Sequence, residues 1–106
     1  MIEKVFIKIL YDINKDLKDK KLYNLKNSFK QVLEDFYNGK LSFEDFRRLL
    51  QVALAIYKVK NKEEKREFAE KLLAINRLDK KYFNFVLELT KLNEDKIRSY
   101  LYALQK

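Results

Sequence analysis

The sequence predicts an all-α protein, a compact bundle of five to six short helices around a buried central helix at about residues 42–60. Three observations carry this. The chain has no Pro and a single Gly, so little in it breaks a helix. Apolar residues recur at i, i+3, i+4 and i+7 in segment after segment. Capping residues (Ser42, Asn61, Asp79, Asn93) stand immediately before four of those segments. At 106 residues the chain fits one domain, residues 1–106, and can bury about two-thirds of its extended surface without disulfide or metal.

The elements follow in order. The first helix runs from Ile2 to about Asp16, with Ile2, Val5, Phe6, Ile9, Leu10, Ile13 and Leu17 on one face. Lys4, Lys8, Asp12 and Lys15 are expected on its solvent face. A basic amphipathic helix can lie on a membrane, but Glu3, Asp12 and Asp16 are mixed in, which favours packing in the core. The charged run Lys15–Lys21 is the expected first turn, or else a charged extension of the helix. The second helix, Tyr23–Tyr37, carries Leu25, Phe29, Val32, Leu33 and Phe36 and stops at Asn38-Gly39, residues that tolerate the left-handed exit of a helix.

The third helix begins at Ser42, with Asp45 three residues on in a capping-box arrangement. Phe46, Leu49, Leu50, Ala53, Ile56 and Tyr57 define one face; Val52, Ala55 and Val59 load the other. A helix apolar on both sides is expected to be surrounded by its neighbours. Asn61 with Glu64 caps a fourth helix to about Asn76, its stripe Phe68, Leu72 and Ile75 flanked by Ala69 and Leu73. Asp79 caps a fifth, Lys80–Lys91, with Phe83, Val86 and Leu89 inward and Phe85 and Leu87 at the edges. Asn93 caps a sixth, Glu94–Gln105, with Ile97, Tyr100, Leu101 and Leu104. No strand or internal repeat is evident.

Catalysis fails on inventory. There is no Cys and no His, hence no thiolate, no imidazole base and none of the usual zinc ligands. The paired carboxylates Glu34-Asp35, Glu44-Asp45, Glu63-Glu64 and Glu94-Asp95 fall in first turns or at exposed ends, where capping and the helix dipole account for them. One Gly cannot build a phosphate loop, and the loop Gly and carboxylate register of a calcium-binding hand are missing. The reading is a non-enzyme without cofactor or metal.

The charge balance is the functional signal. A net +8 over this length favours polyanions, nucleic acid before anionic membrane. The competing explanation is composition: high Lys and Glu with few Gln also suit a thermophile or an AT-rich genome. No apolar run reaches the roughly 20 residues of a membrane span, and MIEKVFIKILYDI reads as a helix rather than a signal peptide, so a cytoplasmic location is expected. The candidate nucleic-acid-binding residues are Arg47 and Arg48 at the start of the central helix, Lys58, Lys60 and Lys62 at its exit, and Arg77, Lys80 and Lys81 at the turn after the fourth helix. In an antiparallel hairpin the last two groups fall at opposite ends, and solvated surface charge explains any single one equally well. Tyr11, Tyr23, Tyr37 and Tyr102 lie near stripe edges. They could stack on unpaired bases; completing the core with a wet hydroxyl is the favoured reading.

Two families are resembled. Leu50–Leu73, LQVALAIYKVKNKEEKREFAEKLL, resembles the central part of the small helical subunit of CRISPR interference complexes. There an apolar helix ends in a basic stretch and a second helix follows with an F-x-E-K-like start, matched by Phe68, Glu70 and Lys71. The resemblance implies a non-catalytic subunit that stacks among the other protein subunits and holds RNA or single-stranded DNA along a basic face. The aromatic-plus-His ending of the type III versions is missing. Lys40–Gln51, KLSFEDFRRLLQ, and Asn93–Leu101, NEDKIRSYL, resemble stretches of the helical stalk subunit of archaeal RNA polymerase, over about residues 22–101. Leu89-Thr90 stands where that family has Leu-Pro. This resemblance implies an assembly subunit binding protein through an apolar patch, expected on the third or fifth helix. Neither implies a small-molecule substrate or a membrane.

Overall fold

The computed structural model describes residues 2–15 and 22–105. Most of the expected first turn, with Asp16 and Leu17, lies outside the described residues. Six α-helices are present among them: α1 (Ile2–Lys15), α2 (Tyr23–Tyr37), α3 (Phe43–Tyr57), α4 (Lys62–Ile75), α5 (Phe83–Leu89) and α6 (Glu94–Leu104), with a 3₁₀ turn at Lys80–Tyr82 leading into α5. The radius of gyration, 12.8 Å, matches the ~13 Å of a compact chain of this length.

The expected caps form. Ser42 Oγ accepts from the Asp45 amide at 3.0 Å, and Asn61 Oδ1 accepts from the Glu63 and Glu64 amides at 2.9 and 3.1 Å. Asp79 and Asn93 accept from Lys81 and Asp95 in the same way. Each satisfies amides that have no partner within their own helix. Two helices exit through one geometry. After α2, Gly39 (φ 76°) donates to Phe36 O and Lys40 to Asp35 O; after α4, Arg77 (φ 57°) donates to Ala74 O and Leu78 to Leu73 O. This paired-bond exit needs a left-handed residue, which is inexpensive for Gly39 and strained for Arg77.

α3 lies at the centre, against α4, α5 and α6. α2 packs on α5, and α1 on α6 and α2. Phe6, Phe29, Phe85 and Phe46, from four different helices, close a circuit of rings with centroids 5.8, 5.9, 6.4 and 5.0 Å apart. Edge-to-face and offset pairs of this kind stabilise beyond the area they bury.

Three helices depart from expectation. In α3 Phe46, Leu49, Leu50, Val52, Ala53 and Ile56 are buried, but Ala55 is exposed beside Arg48 and Gln51, so one lane of the central helix faces solvent. In α4 only Ala69 and Leu73 are buried, while Phe68 is 40% and Ile75 74% exposed. The helix meets α3 and α5 along its Ala69–Leu73 edge, which turns Phe68 and Ile75 outward and leaves Leu72 half-buried. In α5 the 3₁₀ entry resets the register, so Tyr82, Phe85, Val86 and Leu89 face the core and Phe83 is half-buried.

Two carboxylates expected at the surface are also buried. Asp12 accepts a hydrogen bond from the Tyr100 hydroxyl and lies 3.7 Å from Lys96 Nζ. Asp35, 3% exposed, accepts from Tyr82 Oη (2.7 Å) and Gln31 Nε2 (3.0 Å) and pairs with Lys81 Nζ (2.9 Å). A buried charge is tolerated only with such partners.

Candidate nucleic-acid interface

The eight candidate cations divide by whether a carboxylate already holds them. Arg47 Nη2 pairs with Glu44 at 3.1 Å and Arg48 Nη1 with Asp45 at 3.4 Å, each one turn back on α3. Arg47 is half-buried, and its Nε is enclosed without a hydrogen-bond partner among the described residues. Lys81 is the cation of the Asp35 site. These three are largely neutralised within the fold. Lys58, Lys60, Lys62, Arg77 and Lys80 are exposed and have no carboxylate within ion-pair range among the described residues.

The structure separates the unpaired cations into two places. α4 has 14 residues, about 21 Å, and runs antiparallel to α3. At one end Arg77 and Lys81 line a depression of ≈ 150 Å³ with Lys40, Asp45 and Asp79. Two carboxylates against three cations leave that end nearly balanced. Lys80 borders a neighbouring cleft of ≈ 250 Å³, floored by Leu73, Ala74, Leu78 and Phe83, with Glu70 on its other rim.

The other end is different. Lys62, Lys65, Arg66 and Lys91 line a groove of ≈ 390 Å³ between α4 and the end of α5, with Glu88 the single acidic residue. Glu88 is committed to Lys91 at 2.5 Å. The Arg66 guanidinium sits 5.0 Å from the Phe83 ring centroid, which holds it against α5. Lys62, Lys65 and Arg66 share one side of α4 because they stand at i, i+3 and i+4, while Glu63, Glu64 and Glu67 fall elsewhere on the helix. Lys65, Arg66 and Lys91 are not among the sequence candidates; for Lys65 and Arg66 the signal is the run Lys-Glu-Glu-Lys-Arg, obscured by the interleaved acids. Lys58 and Lys60 precede the groove on the α3–α4 connection but do not line it.

Tyr11, Tyr23, Tyr37 and Tyr102 are 64, 61, 63 and 61% exposed. Of these, Tyr37 meets the favoured expectation in part, its ring packed against Phe6 and Phe36 while its residue stays exposed. The chain's other three tyrosines have hydroxyl partners inside: Tyr57 donates to Leu92 O at 3.0 Å, Tyr82 to Asp35 and Tyr100 to Asp12.

Apart from Glu3, whose carboxyl is lowered chiefly by a backbone hydrogen bond, the titratable groups with displaced equilibria belong to the buried pairs. The hydrogen bond from Lys81, with that from Tyr82, holds the Asp35 carboxyl below its ordinary range, and the same Asp35 contact raises Lys81. Burial, then the neighbouring carboxylate, pushes the Tyr82 and Tyr100 hydroxyls well above the usual phenol range. Each displacement reinforces the form already present at pH 7, which describes a structural network and not a poised acid or base. Among the described residues no group of three or more acidic side chains could hold a metal ion, and no helix is long and apolar enough to cross a membrane.

What the basic groove can do is bind anions by charge and hydrogen bonding. No protein-family model matches the chain, and no curated protein or solved structure is similar to it.

Proposed function

We propose that this chain is a non-catalytic subunit of a cytoplasmic nucleoprotein assembly that binds the nucleic-acid backbone without reading sequence. The observation that carries the reading is the α4–α5 groove, where four cations meet one carboxylate. Phosphate contact requires spaced Lys and Arg and no fixed motif, and an Arg held on an aromatic face is pre-oriented to donate. The groove cations Lys62, Lys65 and Arg66 fall within Leu50–Leu73, the segment that resembles the CRISPR small subunit, and that family is the more specific form of the proposal. RNA or single-stranded DNA and the assembly's other subunits are the partners it implies.

Salt dependence tests it. If Lys62, Lys65 and Arg66, the groove cations not committed to Glu88, each neutralise one phosphate, the affinity for a single strand falls with a log–log slope of about −2.1. Anisotropy of a labelled oligonucleotide between about 50 and 200 mM salt measures that slope. The triple variant Lys62→Gln, Lys65→Gln, Arg66→Gln should lower its magnitude by about 2 without unfolding the protein. Absence of binding at the lowest salt refutes the proposal.

A second reading has its own support. Phe68 and Ile75 face outward on α4 with Leu72 half-buried between them, an exposed apolar pair on the fourth helix and not on the third or fifth as expected. It suits a protein contact in an assembly, the role implied by the polymerase stalk resemblance. Ile75→Lys, at a residue 74% exposed, should leave stability unchanged and remove that contact. An unchanged set of co-purifying subunits would refute this reading.

A further inference from the structure

We infer that the outer ridge of α2 is a base-stacking surface, and hence that the strand this protein binds is single-stranded. The inference rests on the backbone-binding proposal above and adds a second face to it. At 100° per residue Tyr23, Lys26, Lys30 and Tyr37 fall within a sector of about 60° on α2. They run along the helix in the order aromatic, cation, cation, aromatic, with the two rings about 21 Å apart.

Both rings are more than 60% exposed. Lys26 and Lys30 have no carboxylate within ion-pair range among the described residues. Glu34, at the edge of the sector, is its one acidic neighbour on the helix.

Tyr37 is also fixed in place. Its ring stands edge-on to Phe6 at 6.3 Å and to Phe36 at 5.5 Å, so an exposed aromatic is anchored on the aromatic core. A ring already immobilised loses little freedom when a base stacks on it. Aromatic faces take any unpaired base, and the lysines between them meet the phosphates. A duplex keeps its bases stacked inside and offers this ridge its backbone alone.

The chain contains no Trp, so its intrinsic fluorescence comes from its seven tyrosines, and the quenching lost in Tyr23→Ala and Tyr37→Ala reports the ridge. The protein is titrated at low salt with oligo(dT), with a duplex of equal length and with inorganic polyphosphate. Oligo(dT) should bind more tightly than the duplex and quench the fluorescence; polyphosphate should bind without quenching. Tyr23→Ala and Tyr37→Ala should each weaken oligo(dT) binding roughly tenfold and leave polyphosphate unchanged. Tyr37→Phe should retain binding. Tyr23 has no ring contact among the described residues, so its variant keeps the test valid should Tyr37→Ala disturb the fold.

Equal affinity for strand and duplex, or binding without quenching and without effect of the tyrosine variants, overturns the stacking surface but leaves the phosphate groove standing. In that case the ridge is free to serve a protein partner instead. No binding of any of the three probes overturns the backbone proposal and this inference together.

Discussion

Replacing Asp35 by Ala separates the structural part of the basic surface from the remainder. The carboxylate ties α2 to the 3₁₀ turn through Tyr82 and Lys81, and to its own helix through Gln31. Without it the Tyr82 hydroxyl, in a residue 3% exposed, loses its acceptor, and an orphaned buried group costs about 1–3 kcal/mol. Lys81 is 39% exposed and rehydrates, so it adds nothing further. The expected loss is therefore about 1–3 kcal/mol, a sizeable part of the roughly 5–15 kcal/mol that stabilises a domain. Asp35→Asn keeps an acceptor for Tyr82 and should lose about half as much. Urea unfolding followed by far-ultraviolet circular dichroism measures both. A loss under about 1 kcal/mol for the Ala variant, or equal losses for Ala and Asn, refutes the argument.

The same site sets a pH dependence. Its carboxyl is held below the ordinary range in the folded protein, chiefly by Lys81 and then by Tyr82, whereas the unfolded chain titrates near pH 3.9. The stabilisation is therefore complete well above pH 4 and is lost as pH falls through the folded value. The stability difference between wild type and Asp35→Asn should shrink below about pH 4 and stay constant from pH 5 to 7. A difference that grows toward low pH would contradict this.

Three further outcomes are expected. Arg77→Gly relieves a left-handed non-Gly residue and should raise stability by about 0.5–1 kcal/mol in the same unfolding assay; a loss would mean the side chain contributes more than its backbone strain. Phe46→Ala opens the ring circuit at a fully buried position and should cost about 3–5 kcal/mol, with Phe46→Leu costing clearly less. In an ultraviolet absorbance titration, Tyr82 and Tyr100 should remain un-ionised above the usual phenol range until the protein itself unfolds.

Local signals were the legible ones. Ser42, Asn61, Asp79 and Asn93 cap where their side chains can reach the next amides, a matter of two or three residues, and Asn38-Gly39 ends α2 for the same local reason. What depends on distant partners was not legible. Asp12 and Asp35 read as surface acids because their tyrosine donors are 88 and 47 residues away. The Phe68–Leu72–Ile75 stripe is a true helical periodicity, but periodicity states that a face exists and not which face the neighbours will cover. The groove cations were half legible. Lys62 stood out at the end of a basic run, whereas Lys65 and Arg66 gain meaning only once α5 brings Lys91 and Phe83 alongside.

The Asp12–Tyr100 contact has a consequence for how the bundle comes apart. α6 supplies both of the partners found for Asp12 among the described residues, the Tyr100 hydroxyl as hydrogen-bond donor and the Lys96 ammonium as ion pair, and Ser99 of the same helix accepts from Lys8. Should α6 detach while α1 stays docked, the Asp12–Tyr100 and Asp12–Lys96 contacts and the Lys8–Ser99 hydrogen bond would be lost together, and the face of α1 packed on α6 would be exposed to water. The first and last helices are thus disfavoured from fraying one at a time. In native-state hydrogen exchange the amides of α1 and α6 should open with one shared free energy, as a single cooperative unit assembled from the two ends of the fold.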